Sequence, residues 1–175
     1  MKRITAMIGV CLILMGLDGV CQNASYPGWL KDSLKRKGLD AKYEPSAWLQ
    51  PSYLQDDFNG DGAADFAVPV VEKATHKKGI LLIHAKSAGY FVFGAGTKFG
   101  DGSDDFTWAN KWSVYKKKTA YETQFDKKSG DVLGGKQIKL SHPCISVAAM
   151  EDGAETAGGL IYWTGTKYRW IHQGD

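Results

Sequence analysis

The sequence predicts an α+β domain that is mostly antiparallel β sheet, with one short helix near its N-terminus. Three observations carry this. Short apolar runs rich in Val, Ile, Phe and Tyr alternate with Gly-, Asp- and Lys-bearing turns from residue 66 to residue 171. The last two runs, Leu160-Ile161-Tyr162-Trp163 and Lys167-Tyr168-Arg169-Trp170-Ile171, flank Thr164-Gly165-Thr166 as a hairpin. A helical period shows in one segment only, residues 27–37.

In that segment Pro27 suits a first helical turn, Leu30 and Leu34 share one face, and Gly38 is a stop. Pro45 and Pro51 then break up a loop around Trp48. Phe66-Ala67-Val68-Pro69-Val70-Val71 reads as a strand that Pro69 demotes toward a sheet edge or bulge, because proline has no N–H for the ladder. Gly79 to His84 and Tyr90 to Phe93, joined through Ser87-Ala88-Gly89, complete an antiparallel meander. Residues 94–105 read as a surface loop. Trp112 to Tyr115 and Thr119 to Phe125 read as a strand pair joined by the lysine turn 116–118. Lys136 to Leu140 and Ile145 to Ala149 read as two more strands, and Asp152 to Gly159 as a loop.

The N-terminus reads as an export signal. Lys2 and Arg3 precede an apolar run from Ile8 to Leu17, too short to span a bilayer, which takes about 20 residues. Small residues follow at Gly19, Cys21 and Ala24. Cleavage after Cys21 or Ala24 gives a soluble exported chain in the periplasm or outside the cell. Acylation of Cys21 gives a lipoprotein, although Val20 is larger than the residue usual there. Residues 22–175 then form one β-rich domain of 154 residues, enough for a single core. Subtracting Lys2, Arg3 and Asp18 from 22 basic and 19 acidic residues leaves a charge of +2. That balance excludes an electrostatic case for nucleic acid, and the lysine clusters 77–78, 116–118 and 127–128 read as solvated turns. Cys11 and Cys21 fall in or at the signal, so Cys144 stands alone and reads as a small buried apolar residue.

The segment with the most chemistry is Asp57-Phe58-Asn59-Gly60-Asp61-Gly62-Ala63-Ala64-Asp65. Oxygen side chains stand at loop positions 1, 3, 5 and 9, and the Ala63 carbonyl at position 7 adds a fifth donor. Gly60 and Gly62 permit a sharp turn. Hard cations such as calcium take six to eight oxygens at about 2.3–2.6 Å, so Asp57, Asn59, Asp61, Ala63 and Asp65 are the expected calcium ligands. An EF-hand is excluded, because Val68 stands where its glutamate belongs and a strand follows instead of a helix.

The loop resembles the Asp-x-Asn-Gly-Asp-Gly-x-x-Asp loop of FG-GAP and VCBS-type repeats, which precedes a strand as Phe66-Ala67-Val68 does here. The resemblance implies calcium binding and a secreted or cell-surface setting. Those repeats build β-propeller blades, but blades take about 40–50 residues and at least four copies. This chain has one copy, so a full propeller is not expected. Tyr162-Trp163-Thr164-Gly165-Thr166-Lys167-Tyr168 also resembles the closing hairpin of small exported bacterial proteins that carry a single such loop.

Other constellations are weaker. Asp101-Gly102-Ser103-Asp104-Asp105 alternates oxygens without a further ligand. His142 and Cys144 are two apart across Pro143, which suits a loop more than a nucleophilic dyad. His76, His84 and His172 show no metal-ligand pairing, and no Gly-x-Ser-x-Gly elbow is present. Asp104, Asp105, Glu122, Glu151 and Glu155 are the carboxylates from which a sugar hydrolase would draw a pair. Trp108, Trp112, Trp163 and Trp170 fit a β core, or else a surface for sugars or peptides. The expectation is an exported calcium-binding β domain, non-enzymatic, that binds a protein or glycan at the cell envelope. The alternatives are a small hydrolase using acidic loop residues and an inhibitor or immunity-type protein.

Intact-mass measurement of the envelope-associated protein tests the export expectation. A free N-terminus at Gln22 or Ser25 marks soluble export, a diacylglyceryl mass on Cys21 marks a lipoprotein, and a full-length cytosolic chain refutes both.

Overall fold

The computed structural model describes residues 26–87, 89–100 and 103–174. The export segment, Ala88, Asp101 and Gly102 lie outside the described residues. The helix α1 spans Gly28–Arg36. Its end is a Schellman motif: Gly38, at φ +66°, donates its N–H to Lys35, and Leu39 donates to the Leu34 carbonyl at 2.9 Å. Eleven strands follow. They are β1 (Tyr43–Pro45), β2 (Leu54–Asp56), β3 (Asp65–Glu72), β4 (Lys78–Ile83), β5 (Tyr90–Gly94) and β6 (Lys111–Tyr115), then β7 (Thr119–Phe125), β8 (Val132–Lys139), β9 (Cys144–Glu151), β10 (Ala154–Trp163) and β11 (Tyr168–Gln173).

These strands form two antiparallel sheets and a ribbon. The first sheet runs β1-β3-β4-β5, with β2 also on β3; the second runs β11-β10-β9-β6; β7 and β8 pair as a two-stranded ribbon. The predicted meander is present as β3-β4-β5.

Period-two alternation explains the layering. Ala67, Ile80, Leu82 and Phe93 face Trp112, Ile145, Val147, Ile161 and Tyr168 between the sheets. The neighbouring residues Phe66, Val68, Val70, Leu81 and Ile83 face the other way, onto Leu30, Leu34 and Leu39 of the helical segment. On the outer face of the second sheet, Cys144, Leu160 and Ile171 pack with Ala120 and Leu140, and Ile138 lies against them. Both faces of β3 and β4 are therefore covered, which is why their sequences are continuous apolar runs.

Four expectations are corrected. Strand β3 is interior, not an edge. Pro69 is tolerated because its missing N–H falls where β2 pairing ends at Ala67 and β1 pairing begins at Val70. The carbonyl of Pro69 still accepts the Ser46 N–H at 2.9 Å. The loop read around Pro45 and Pro51 contains two short strands, β1 and β2. The strands β6 and β7 do not pair; β6 joins β9 and β7 joins β8, so the lysine turn carries the chain between layers. Residues 154–159 are strand, not loop. Asp152 (φ +48°) and Gly153 (φ +83°) make the two-residue turn that pairs β9 with β10.

Gly158 and Gly159 disguised β10 as a loop. A Cβ on Gly159 would overlap the Trp170 indole, and a Cβ on Gly100 would come within 2.9 Å of it. The indole is thus enclosed by backbone. We expect Gly159→Ala to lower the melting temperature by several degrees, as overpacking costs of about 1–3 kcal/mol imply. Gly28→Ala, where a Cβ meets nothing within 4 Å in the first helical turn, is expected to hold or raise it. Thermal denaturation followed by circular dichroism measures both.

Candidate metal centre

The loop between β2 and β3 is built on backbone amides. Gly60 (φ +77°) and Gly62 (φ +81°) are both left-handed, so the turn requires the glycines. The Asp57 carboxylate accepts the N–H of Gly60 (2.8 Å) and Asp61 (3.0 Å) on Oδ1, and that of Gly62 (2.8 Å) on Oδ2. Asn59 accepts the Asp61 N–H on Oδ1 and donates Nδ2 to Asp61 Oδ2, each at 3.0 Å. Asp61 Oδ1 accepts the Ala63 N–H at 2.8 Å. Asp57, Asn59 and Asp61 are therefore interlocked around one turn.

Asp65 has a different setting. It is 0% exposed. Its Oδ2 accepts the Phe58 N–H at 3.1 Å and its Oδ1 the Ala85 N–H at 3.0 Å. It thereby ties the loop to the chain leaving β4. Phe58, 1% exposed, enters the core between the sheets beside it.

The electrostatics separate the two acids. Burial raises the Asp65 pKa above its ordinary 3.8; the charges of Asp61 and Asp57 add to this and the Ala85 N–H opposes it. The stability Asp65 contributes is therefore present below the ordinary carboxylate range and lost as pH rises through its raised pKa. The Asn59 amide and the Ala63 N–H lower the Asp61 pKa, so its contribution is present above the ordinary value and lost as pH falls. Burial raises the Tyr168 pKa, and the charges of Asp65, Asp57 and Asp61 raise it further, so the field of all three acids converges there.

Among the described residues no group of three or more His, Cys, Asp or Glu side chains is gathered to hold a metal ion. The donor chemistry of the loop nonetheless fits a hard cation: Asp57, Asn59, Asp61, the Ala63 carbonyl and Asp65 are all oxygen donors. The first three are brought together, and Asp65 is turned toward two amides.

Sequence spacing missed four neighbours of the loop. Lys86 reaches over it; its Nζ donates to the Asp61 carbonyl and lies 3.8 Å from Asp61 Oδ1. The Ala85 amide completes the Asp65 contacts. His142 packs against Gly60, where a Cβ would meet its Cδ2 at 3.1 Å. Buried His84 hydrogen-bonds the Tyr168 hydroxyl at 2.8 Å, joining the ends of the two sheets. These partners lie far along the chain, so no local motif marks them.

The weaker candidates resolve into structural roles. His142 stacks on Tyr162 with ring centroids 4.8 Å apart, and Cys144 is fully buried with its thiol pushed up to about 12 by burial. That thiol is held protonated and makes no nucleophile. Asp104 pairs with Lys77 at 2.5 Å, and Asp105 accepts the N–H of Lys78 and of Thr107, each at 3.0 Å. Both acids pin the 103–107 loop to β4. Glu122 pairs with Arg169 at 2.6 Å. Among the described residues it is the one carboxylate lining a cleft of about 700 Å³ beside β7 and β11. An adjoining apolar cleft of about 230 Å³ is lined by Phe106, Trp108 and Trp170, and by no carboxylate among the described residues. Trp112 is core, with its indole N–H on the Pro51 carbonyl at 2.8 Å.

The fold and the loop define a class: a two-sheet antiparallel β domain with one acidic Asx-rich turn tied into its core. No family model matches the chain, no curated protein matches it, and no solved structure matches it.

Replacing Asp65 by alanine orphans the Ala85 amide and leaves the Phe58 N–H only the Asp56 carbonyl, at 3.0 Å. An unsatisfied buried donor costs about 1–3 kcal/mol. We expect Asp65→Ala to lower the melting temperature by several degrees even in chelator. An unchanged transition would show that Asp65 is not the anchor of the loop.

Proposed function

We propose that the chain is an exported calcium-binding β domain that serves the cell envelope as a non-enzymatic binding module. The observation that supports it is the Asp57-Asn59-Asp61 turn, an interlocked set of hard oxygen donors with Asp65 close enough to feel its charge. The ion would be held by Asp57, Asn59, Asp61, the Ala63 carbonyl and Asp65, and it would offset their mutual repulsion. The protein's own part is to preorganise the turn through backbone amides and to couple it to the core through Asp65 and Phe58. Export rests on the N-terminal segment, with lipidation of Cys21 as the membrane-anchored form. For the hydrolase alternative, the carboxylate that the described residues place in the two clefts beside Trp170 is Glu122, which is paired with Arg169.

A specific contact favours a second reading, in which Lys86 is the cation of the loop and no metal binds. Calorimetry and melting curves distinguish the two. A ligand that binds only the folded state stabilises it by RT ln(1 + [L]/Kd), about 2.7 kcal/mol at a hundredfold excess over Kd. Calcium is then expected to raise the melting temperature of chelator-stripped protein by several degrees at neutral pH. The rise should fade as pH falls and the carboxylates protonate. Asp61→Ala abolishes it and Asp104→Ala leaves it intact. Lys86→Ala tightens calcium binding if the ion is calcium. If Lys86 is the cation, that variant melts lower and calcium changes nothing.

A further inference from the structure

One continuous segment of the chain concentrates lysines. The lysine turn and the β7–β8 ribbon, residues 116–139, hold seven lysines against Glu122, Asp126 and Asp131, a net charge of +4; the ribbon itself, residues 119–139, carries +1, and Lys116 of the turn pairs with Asp56 at 2.7 Å. The full chain carries only +3, so the rest of it is close to neutral. Two of the three acids are engaged locally, Glu122 by Arg169 and Asp126 by the N–H groups of Lys128 and Ser129. Among the described residues Lys127, Lys128, Lys136 and Lys139 are in no ion pair.

The same ribbon exposes apolar side chains. Tyr121 (62%), Phe125 (39%), Val132 (46%) and Leu133 (67%) are four of the seven large hydrophobic residues exposed among the described residues. The outer edge of β8 is open. Among the described residues its only strand partner is β7. The register shows which groups face out. The Leu140 N–H bonds the Lys118 carbonyl at 2.9 Å, so that pair is hydrogen-bonded. Bonded and non-bonded pairs alternate in an antiparallel ladder. Thr119↔Lys139, Tyr121↔Gln137 and Thr123↔Gly135 are then non-bonded pairs, and the backbone groups of Gly135, Gln137 and Lys139 point away from β7. The Tyr121 carbonyl agrees, because it is taken from the opposite side by Gln173 Nε2. Gly134 and Gly135 leave the middle of the open edge without side chains, which lets another backbone approach.

We propose that the open edge of β8 binds an extended acidic peptide segment of a partner protein as an added strand. The backbone of such a peptide meets the outward groups of Gly135, Gln137 and Lys139, its carboxylates on one face meet Lys139, and those on the other face meet Lys136. Its apolar residues meet Leu133 and Val132. Charge decides between occupants: a second copy sets its own unpaired Lys136 and Lys139 against this edge and is disfavoured, whereas an acidic segment is attracted. The proposal rests on the binding-module reading but not on the calcium ion, since the ribbon and the loop are separate elements.

The test uses a capped ten-residue peptide built from Glu-Glu-Val-Val repeats, which presents carboxylates on both faces, fluorescently labelled and titrated with the protein by anisotropy in calcium and in chelator. Saturable binding that weakens with salt is expected. N-methylation of alternate peptide amides should weaken it at least tenfold. Gln137→Pro removes an outward N–H without breaking a β7–β8 bond and should do the same, with Lys136→Glu plus Lys139→Glu as a second variant. The wild-type protein with the N-methylated peptide decides the matter if either variant fails to fold. No saturable binding, or binding indifferent to N-methylation, overturns the proposal. So does stronger binding to anionic phospholipid vesicles than to the peptide, or dimerisation of the free protein in sedimentation. Failed peptide binding with the calcium-dependent melting shift intact removes the ribbon site alone. Peptide binding without that shift removes the ion alone.

Discussion

A single buried carboxylate ties the β2–β3 loop into the body of this molecule. Asp65 is the first residue of β3, and its two oxygens accept amides from Phe58, seven residues before it, and Ala85, twenty residues after it. One side chain thus fixes the loop on the strand that follows it and on the neighbouring strand's exit. A buried carboxylate is costly when bare and tolerable when every oxygen has a donor. Its raised pKa records that the balance is incomplete at neutral pH, with Asp57 and Asp61 adding negative potential nearby. A cation at the loop relieves that tension, whether it is a bound ion or Lys86.

The layers around this anchor follow from alternation. The central sheets are covered on both faces, by α1 on one side and by the ribbon on the other, with the shared core between them. The aromatic residues serve this packing more than any ligand surface. Trp112 is buried, Trp170 is enclosed by Gly100 and Gly159, and Trp163 packs edge-on to His84 and Phe91. The ribbon stands apart: β8 is exposed along nearly its whole length and its outer edge has no partner strand. Lysines on such an edge also discourage pairing between copies.

Local chemistry made much of this legible. The α1 boundaries, the β3-β4-β5 meander and the final hairpin are marked by spacing and by turn residues within a few positions. The misreadings all involve partners chosen at a distance. Pro69 argued for an edge, but the gap between two short strands absorbs its missing N–H. Gly158 and Gly159 argued for a loop, but Trp170 needs their bare backbone. The lysine turn looked like a hairpin, but β6 and β7 find better partners in β9 and β8.

The sequence by itself determined the mostly antiparallel α+β class, the Asx-rich turn with its two left-handed glycines, and the set of oxygen donors it offers. These depend on side-chain period and on the conformational freedom of single residues, which act over a turn or less. Only the tertiary structure decided that Asp65 points to the amides of Phe58 and Ala85, that Lys86 reaches Asp61, and that His84 meets Tyr168. Those contacts join segments tens of residues apart. They exist because burial of apolar faces brings the strands together, and no short stretch of sequence encodes that docking.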